Sequence, residues 1–282
     1  MRERRFIDLV PHLVLIAGVL VFAFPIYVTL IGSTWDSGTI GRGNLPLLPG
    51  GEAAANYTQA WTESQTARAM FTPVRTMMLN SLIMALTIAL GKIAISILSA
   101  YAVAFFRFPF RMAFFWMIFI TLMLPVEVRI IPTYKVVADL GLIDSYAGLT
   151  IPLIASATAT LLFRQFFLTI PDELVEAAKI DGAGAVRFFV DVVLPLSRTN
   201  IAALFVILFI YGWNQYLWPL LITNSASMET IVIGVTKMIG TGEAANDWNV
   251  IMATTVLAML PPVAVVVVLQ RWFVKGLVDS EK

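Results

Sequence analysis

The sequence predicts an all-α polytopic membrane protein: six transmembrane helices, with a helix-turn-helix insert held in water between the fourth and fifth. Three observations carry this. Of 282 residues, 59% are hydrophobic and only 13% charged, whereas a soluble domain carries roughly 45–50% apolar and about 25% charged residues. Mean hydropathy is +0.85, an excess too large for a water-facing surface. Against that background, residues 171–196 read PDELVEAAKIDGAGAVRFFVDVVLPL. Asp172, Glu173, Glu176, Lys179, Asp181, Arg187 and Asp191 are charges that a lipid-facing segment has no reason to carry.

The spans come first. A helix needs about 20 predominantly apolar residues to cross the hydrocarbon core, and six stretches meet this: residues 13–31, 79–105, 112–131, 146–166, 201–221 and 251–272. They make residues 1–282 a single transmembrane domain. Pro125, Pro152, Pro219 and Pro261 lie inside them, tolerable where neighbouring helices satisfy the freed carbonyls. The first stretch follows Arg2, Arg4 and Arg5 and is expected to be an uncleaved span, since no A-x-A-like site follows it and Pro25 interrupts the usual leader pattern.

Lysine and arginine placement then sets the orientation. With the N-terminus inside, Arg107, Arg111, Arg164, Lys179, Arg187, Arg198, Arg271, Lys275 and Lys282 join the first three arginines on the cytoplasmic side. Only Arg42, Arg68, Arg75, Arg129, Lys135 and Lys237 remain outside, with Lys92 within a span. Both termini and the charged insert are thus expected in the cytoplasm. The external segments 32–78 and 223–250 read as loops, with one short helix near residues 60–70. Trp213, Trp218, Trp248 and Trp272 read as interface anchors.

Several function classes drop out. A net charge of +1 provides no basic surface for nucleic acid. The absence of cysteine removes disulfide and thiolate chemistry, and a single histidine, His12, makes a histidine metal or catalytic centre implausible. Gly91-Lys92 is followed by Ile93, and no G-x-x-x-x-G-K-[ST] run occurs. ATP is therefore expected to be hydrolysed by another polypeptide.

Within the insert, Asp172 follows Pro171 and is expected to cap a first helix, with Glu173 favourably near its positive end. Leu174, Ala177, Ala178 and Asp181 occupy neighbouring helical positions, and the two alanines keep one flank thin. Gly182, backed by Gly184, supplies a sharp turn. A second helix over 185–193 places Val186, Phe189, Val190 and Val193 at i, i+3, i+4, i+7 spacing, packed under the spans, and Pro195 ends it. The pattern fits two roles equally: a rigid docking surface for a soluble partner, or an amphipathic hairpin lying on lipid headgroups.

Here the residues resemble a known family. Glu176-Ala177-Ala178, Gly182 and Leu194-Pro195 stand at the offsets of the EAA signature of bacterial ABC importer permeases, E-A-A-x3-G-x9-I-x-L-P, with Val192 in place of the usual isoleucine. The runs TLMLPVEVRIIPTY, GWNQYLWPL and FVKGLVDSEK are similar to the MalG-type subunit of carbohydrate-class importers. FRFPFR, DSYAGLT and ASATATLLFRQFF are similar to its glycerol-3-phosphate permeases. The resemblance implies a type I, MetI-like importer fold in the inner membrane. Its partners would be a second permease subunit, two cytoplasmic ATPase subunits that hold the ATP and magnesium, and an external solute-binding protein. This chain would itself be non-catalytic and carry no cofactor. Glu176, Ala177, Ala178, Asp181, Gly182, Leu194 and Pro195 would couple it to the ATPase.

The substrate implied is sn-glycerol-3-phosphate. The alternative within the class is a MalG-like subunit for a neutral sugar or sugar alcohol. Outside it stands an autonomous secondary transporter, which would usually show inverted repeats or a central carboxylate. No Asp or Glu lies at mid-membrane depth here.

Three residues are candidates for the solute path. Lys92 lies mid-span, where an ionised group is costly unless it faces a cavity or partner. It would offer a charge to a phosphate-bearing solute, or be buried against helix dipoles or a carboxylate. Asn214 and Gln215 interrupt the fifth span and either bond between helices or line the pore. Glu127 and Arg129 form either part of a gate or an ordinary charged helix end. Gly240, Gly242, Glu243 and Asn246 resemble the family's loop that meets the binding protein, or form a passive linker, and the tail 275–282 either reaches the ATPase subunits or is simply solvated.

Overall fold

The structure, a computed structural model, describes residues 2–43, 46–63, 72–121, 126–239 and 246–279. Helices α1 (Arg2–Gly32), α2 (Ser37–Gly41) and α3 (Ala53–Thr62) precede the long α4 (Val74–Phe105). Next come α5 (Arg111–Ile120), α6 (Val126–Asp139), α7 (Tyr146–Thr150) with a 3₁₀ turn at Ile151–Leu153, and α8 (Ala157–Phe167). The insert comprises α9 (Asp172–Ile180), α10 (Ala185–Phe188), a π-helical turn at Phe189–Val193 and α11 (Leu194–Leu196). The chain closes with α12 (Arg198–Trp213), α13 (Leu217–Ile222), α14 (Ile231–Met238) and α15 (Trp248–Asp279). All regular structure among the described residues is helical.

The expected spans fare unequally. Those at 13–31, 79–105 and 251–272 lie within α1, α4 and α15, which are continuous and apolar enough to cross a membrane. The one at 112–131 is split between α5 and α6, with Pro125 outside the described residues. The one at 146–166 bends by 47° between the 3₁₀ turn and α8, where Pro152 has no N–H to continue a ladder. The expected span at 201–221 stops at Trp213, and Asn214 closes the last turn by donating its N–H to Ile210 O at 3.0 Å. Among the described residues, three helices can cross by length and composition, or up to five if each bent pair counts as one span. Among the described residues, three of the six expected stretches are single helices and the other three are each shared between two α-helices.

Two compact units divide the chain. The first contains Met1–Met77 and Ile233–Leu260. Its centre is a buried amide network. Asn56 Nδ2 donates to Ser33 O at 2.9 Å and Trp35 O at 2.8 Å, while Asn56 Oδ1 accepts from Asn249 Nδ2 at 2.7 Å. Buried amides satisfied in this way fix chain geometry, because breaking one strands a polar group away from water. Gly234 and Gly32 allow the side chains of Met77 and Met252, respectively, to lie against the backbone. The short helix expected near 60–70 is found earlier, as α3; residues 64–70 lie outside the described residues.

The second unit contains Met78–Val232 and Pro261–Lys282. In it α4 supplies a run of small and apolar residues: Ala85, Ile88, Ala89 and Ala100 are all fully buried. Met84 and Ile88 join Ile130, Val137, Leu149, Trp218 and Ile222 in one core cluster. Trp218 is only 3% exposed and donates from Nε1 to Gly148 O at 3.1 Å. Trp213 is buried as well. These two tryptophans are core residues rather than the interface anchors that the belt pattern predicts; Trp272 stays exposed.

The segment after α13 is tied to the helices around it. Asn80 on α4 donates to Ser227 O and Glu229 O, both at 2.8 Å, and accepts from the Tyr146 hydroxyl at 2.6 Å. Ser81 Oγ accepts from the Ile231 N–H at 2.8 Å. Asp144, with φ of 59°, accepts from the Asn224 and Ser225 N–H groups through one oxygen. The bonds from Ser225, and the weaker one from Asn224, hold its carboxyl below the usual range.

Two glycines set the helix spacing in this unit. A Cβ on Gly91 would meet Ile154 Cγ2 at 2.8 Å, and one on Gly212 would meet Ala85 Cα at 2.9 Å and Ala85 O at 3.3 Å. The obstacle at Gly212 is backbone and has no way to rotate aside. Gly212→Leu is therefore expected to force α12 off α4 at a cost of roughly 1–3 kcal/mol, read as a lower thermal midpoint in detergent. Gly18→Leu, on α1 with nothing within 4 Å, is the matched control and should leave the midpoint unchanged.

Candidate functional site

The insert is locked by its turn. Pro171, not Asp172, is the N-cap of α9 and makes no side-chain bond to it; Asp172 and Glu173 occupy the first turn. Proline leaves the cap without a donor to satisfy, and the acidic pair acts through charge at the positive helix end. At the other end Gly182 has φ of +69°. The Gly182 N–H donates to Lys179 O at 3.1 Å and the Ala183 N–H to Ala178 O at 2.9 Å. This pairing is a Schellman motif, in which a left-handed residue satisfies the last carbonyls of a helix. Its hydrophobic contact is between Ala178 and Ala183, which line the same small cleft.

That cleft, about 170 Å³, ties the insert to the core of its unit. Tyr101 and Phe105 from α4, with Phe106 just after it, form one wall, and Val175, Ala178, Ala185 and Phe188 from the insert the other. The Tyr101 hydroxyl donates to Ala185 O at 2.7 Å. Phe188 is 6% exposed and stands edge-on to Phe105, ring centroids 5.4 Å apart. Phe105 also contacts Phe167 of α8 at 5.8 Å. The insert is thereby packed onto α4 and α8 through aromatic rings.

The stripe buried under the spans differs from the one expected. Phe188 and Val193 are buried and Phe189 half-buried, whereas Val186 is 77% exposed and Val190 is also exposed. The cause is the π-helical turn, whose i→i+5 pairing puts residues five apart on one face and rotates Val190 outward. Nor does Pro195 end the helix. It sits inside α11, and the chain bends by 71° after Leu196, at the buried Ser197, whose Oγ donates to Val193 O at 2.6 Å.

The coupling candidates fall into two sets. Glu176, Ala177, Asp181 and Gly182 are exposed, next to Ile180, itself 86% exposed. Ala178 faces the aromatic cleft. Leu194 and Pro195 line a separate apolar cavity of about 600 Å³ with Leu90, Ile93, Arg198 and Phe205. One half of the signature is a surface and the other half is its mounting. The exposed Arg187–Asp191 pair at 3.3 Å contributes little to this, because water screens it.

The path candidates also come together around one residue that the sequence did not single out. Lys92 is 6% exposed, and its Nζ lies 3.7 Å from the centroid of the Tyr211 ring. A cation over a ring face is worth about 2 kcal/mol when desolvated. Gln215 Nε2 donates to Tyr211 O at 3.1 Å, one turn along the chain, and Asn214 is exposed beside it. Arg129 on α6 is exposed. The Glu127 side chain, Gly240, Gly242, Glu243 and residues 280–282 lie outside the described residues. Tyr101, Phe188 and Tyr211 were missed because an aromatic in an apolar run looks like any core residue. The only signal was the aromatic density of 101–106 and 188–189.

Apolar helices able to cross a membrane, with a charged hairpin mounted on aromatic packing, define a polytopic membrane protein with one water-facing insert. Comparison with known proteins agrees: the chain belongs to the family of binding-protein-dependent transport system inner membrane components, whose profile matches residues 92–279. It is an ABC-importer permease of MetI type, a multi-pass inner-membrane protein.

Over its full length it is similar to the sn-glycerol-3-phosphate transport system permease protein UgpE. The identity is 62% with that of Agrobacterium fabrum and 61% with that of Rhizobium meliloti, over 280 residues and 99% of each chain. Among solved structures, a bacterial ABC transporter involved in the import of the acidic polysaccharide alginate contains a chain of the same fold. The TM-score is 0.83 at 22% identity, covering 97% of this chain and 98% of that one.

Proposed function

We propose that this chain is the permease subunit through which sn-glycerol-3-phosphate enters the cell, paired with a second permease and driven by two cytoplasmic ATPase subunits. The observation that carries the substrate is full-length similarity, near 60% identity, to permeases named for sn-glycerol-3-phosphate. An external solute-binding protein delivers the solute, and both termini and the insert face the cytoplasm. The chain binds no ATP or magnesium itself, in keeping with its lack of a phosphate loop. Glu176, Ala177, Asp181 and Gly182 present the surface that meets the ATPase. Ala178, Leu194 and Pro195 hold that surface against the spans. Closure of the ATPase dimer moves the insert as a rigid body, and the aromatic cleft passes the motion to α4 and α8. Lys92, Asn214 and Gln215 border the solute path.

The test begins by tagging the chain, solubilising native membranes gently and identifying what co-purifies. An ATPase, a second permease and a solute-binding protein are expected. The assembly should then import radiolabelled sn-glycerol-3-phosphate into proteoliposomes in an ATP-dependent manner. Import of a neutral sugar but not of sn-glycerol-3-phosphate would overturn the substrate. Recovery of the chain alone, after crosslinking as well, would overturn the assembly.

A further inference from the structure

We propose that the turn at residues 106–111, between α4 and α5, is a binding site for an anionic phospholipid. Arg107 and Arg111 take its phosphate, and the Phe110 ring seats among the acyl carbons beneath. This goes beyond the importer reading and holds whatever the solute.

The backbone at Phe110 is strained. Its φ of 62° and ψ of 16° lie in the left-handed region, and it caps α5 without a side-chain hydrogen bond. Glycine makes such a turn freely, whereas a bulky L-residue is strained there. The neighbouring rings pack within the chain: Phe106 stands edge-on to Tyr101 with centroids 5.3 Å apart, and Phe108 lies 6.2 Å from Phe114. Phe110 by contrast is 78% exposed, so contacts inside the chain offset little of its strain. Strained residues of this kind cluster at sites of function.

Location says what covers the ring. Helix α4 is long and apolar enough to cross a membrane and ends at Phe105, which brings the turn to the bilayer boundary. Beyond it α5 exposes Met112, Phe114, Trp116, Met117 and Ile120. A phenyl ring at that depth enters the zone between headgroups and acyl chains. The platform is firm, because Arg164 of α8 lies over the Phe115 ring of α5, 4.3 Å from its centroid.

Charge selects the lipid. Arg107 is exposed, and the half-buried Arg111 turns back to donate from Nη1 to Phe106 O at 3.2 Å, in the peptide that leads into Arg107. No Asp or Glu occurs between Glu63 and Glu127, so no neighbour in sequence supplies a counter-charge. Guanidinium groups match phosphate oxygens, and basic side chains at the end of a span favour anionic lipid.

Because the chain has no cysteine, Met112→Cys, at an exposed position next to Arg111, takes a single bimane label. The complete importer, with cysteine-free partners, is held in detergent and titrated with phosphatidylglycerol or phosphatidylcholine carrying a nitroxide on identical acyl chains. Phosphatidylglycerol should half-saturate the quenching at a lipid fraction at least fivefold lower than phosphatidylcholine. Arg107→Gln with Arg111→Gln should raise the phosphatidylglycerol value to that of phosphatidylcholine and leave the latter within twofold. Phe110→Gly, which keeps the left-handed turn and removes only the ring, should raise both values at least twofold and preserve their ratio.

Equal values for the two lipids in the parent, or a preference that survives loss of both arginines, would overturn the site. Values unmoved by Phe110→Gly, or a lower thermal midpoint of that variant in detergent, would overturn the seat given to the ring. Loss of the ATPase subunits from the arginine variant, with the lipid preference intact, would overturn it too and assign the patch to a protein partner.

Discussion

Valine at position 182 is expected to abolish ATP-coupled uptake while the chain still inserts in the membrane, with ATP hydrolysis continuing unproductively or assembly lost. The reason is confined to the backbone. Gly182 has φ of +69°, and a Cβ there would meet nothing within 4 Å. A clash is thus ruled out as the cause. Left-handed geometry costs an L-residue roughly 1–2 kcal/mol, and a β-branched side chain is the least tolerant of it. Valine therefore relaxes the turn, breaks the bonds to Lys179 O and Ala178 O, and changes the angle between α9 and α10. A substitution series separates this account from a direct contact role. Asparagine, which tolerates the left-handed region, should retain most uptake, alanine less and valine least. Uptake by Gly182→Val at the wild-type rate per ATP hydrolysed would refute the role given to the turn.

The second large effect is expected at Phe188. Its side chain is buried between α4 and the insert, and truncation of such a phenylalanine costs about 3–5 kcal/mol. The existing cleft of about 170 Å³ would enlarge, and the rings of Tyr101 and Phe105 would lose the surface they press against. Phe188→Ala should leave the exposed residues Glu176, Ala177 and Asp181 unchanged in chemistry. The ATPase subunits should consequently still co-purify, while uptake falls at least tenfold relative to hydrolysis. Phe188→Leu, which refills most of the volume, should recover much of the coupling. Equal loss of ATPase binding in Phe188→Ala would show instead that the insert had unfolded, and crosslinking from the exposed Ile180 position distinguishes the two outcomes.

Both predictions begin from features that differ in how visible they were beforehand. Gly182 was legible at once, because a glycine after a short amphipathic helix and before a second one has one common use, and its offset from Glu176 matched a known signature. The charges of the insert were equally plain, since charge cannot lie in lipid. Phe188 was not legible. The i, i+3, i+4, i+7 pattern pointed to Val186 and Val190, and it assumed 3.6 residues per turn. The π-helical turn at Phe189–Val193 changed that period, and nothing in FFVDVV announces a five-residue hydrogen-bond step. Similarly, Trp218 looked like an interface anchor until its indole was found bonded to Gly148 O. Amphipathic tryptophan fits both places, and only its neighbours decide.

What the sequence by itself determined is the solvent of each segment: apolar runs for the bilayer, the charged insert for water, and glycine where the turn must be left-handed. Those depend on local chemistry, which a residue carries wherever it is placed. Tertiary structure alone decided where helices break, which rings pack the insert onto α4 and α8, and that Lys92 rests on Tyr211. Those depend on residues far apart in the chain meeting in space. A lone lysine in an apolar run has the same sequence whether an acid or a ring faces it.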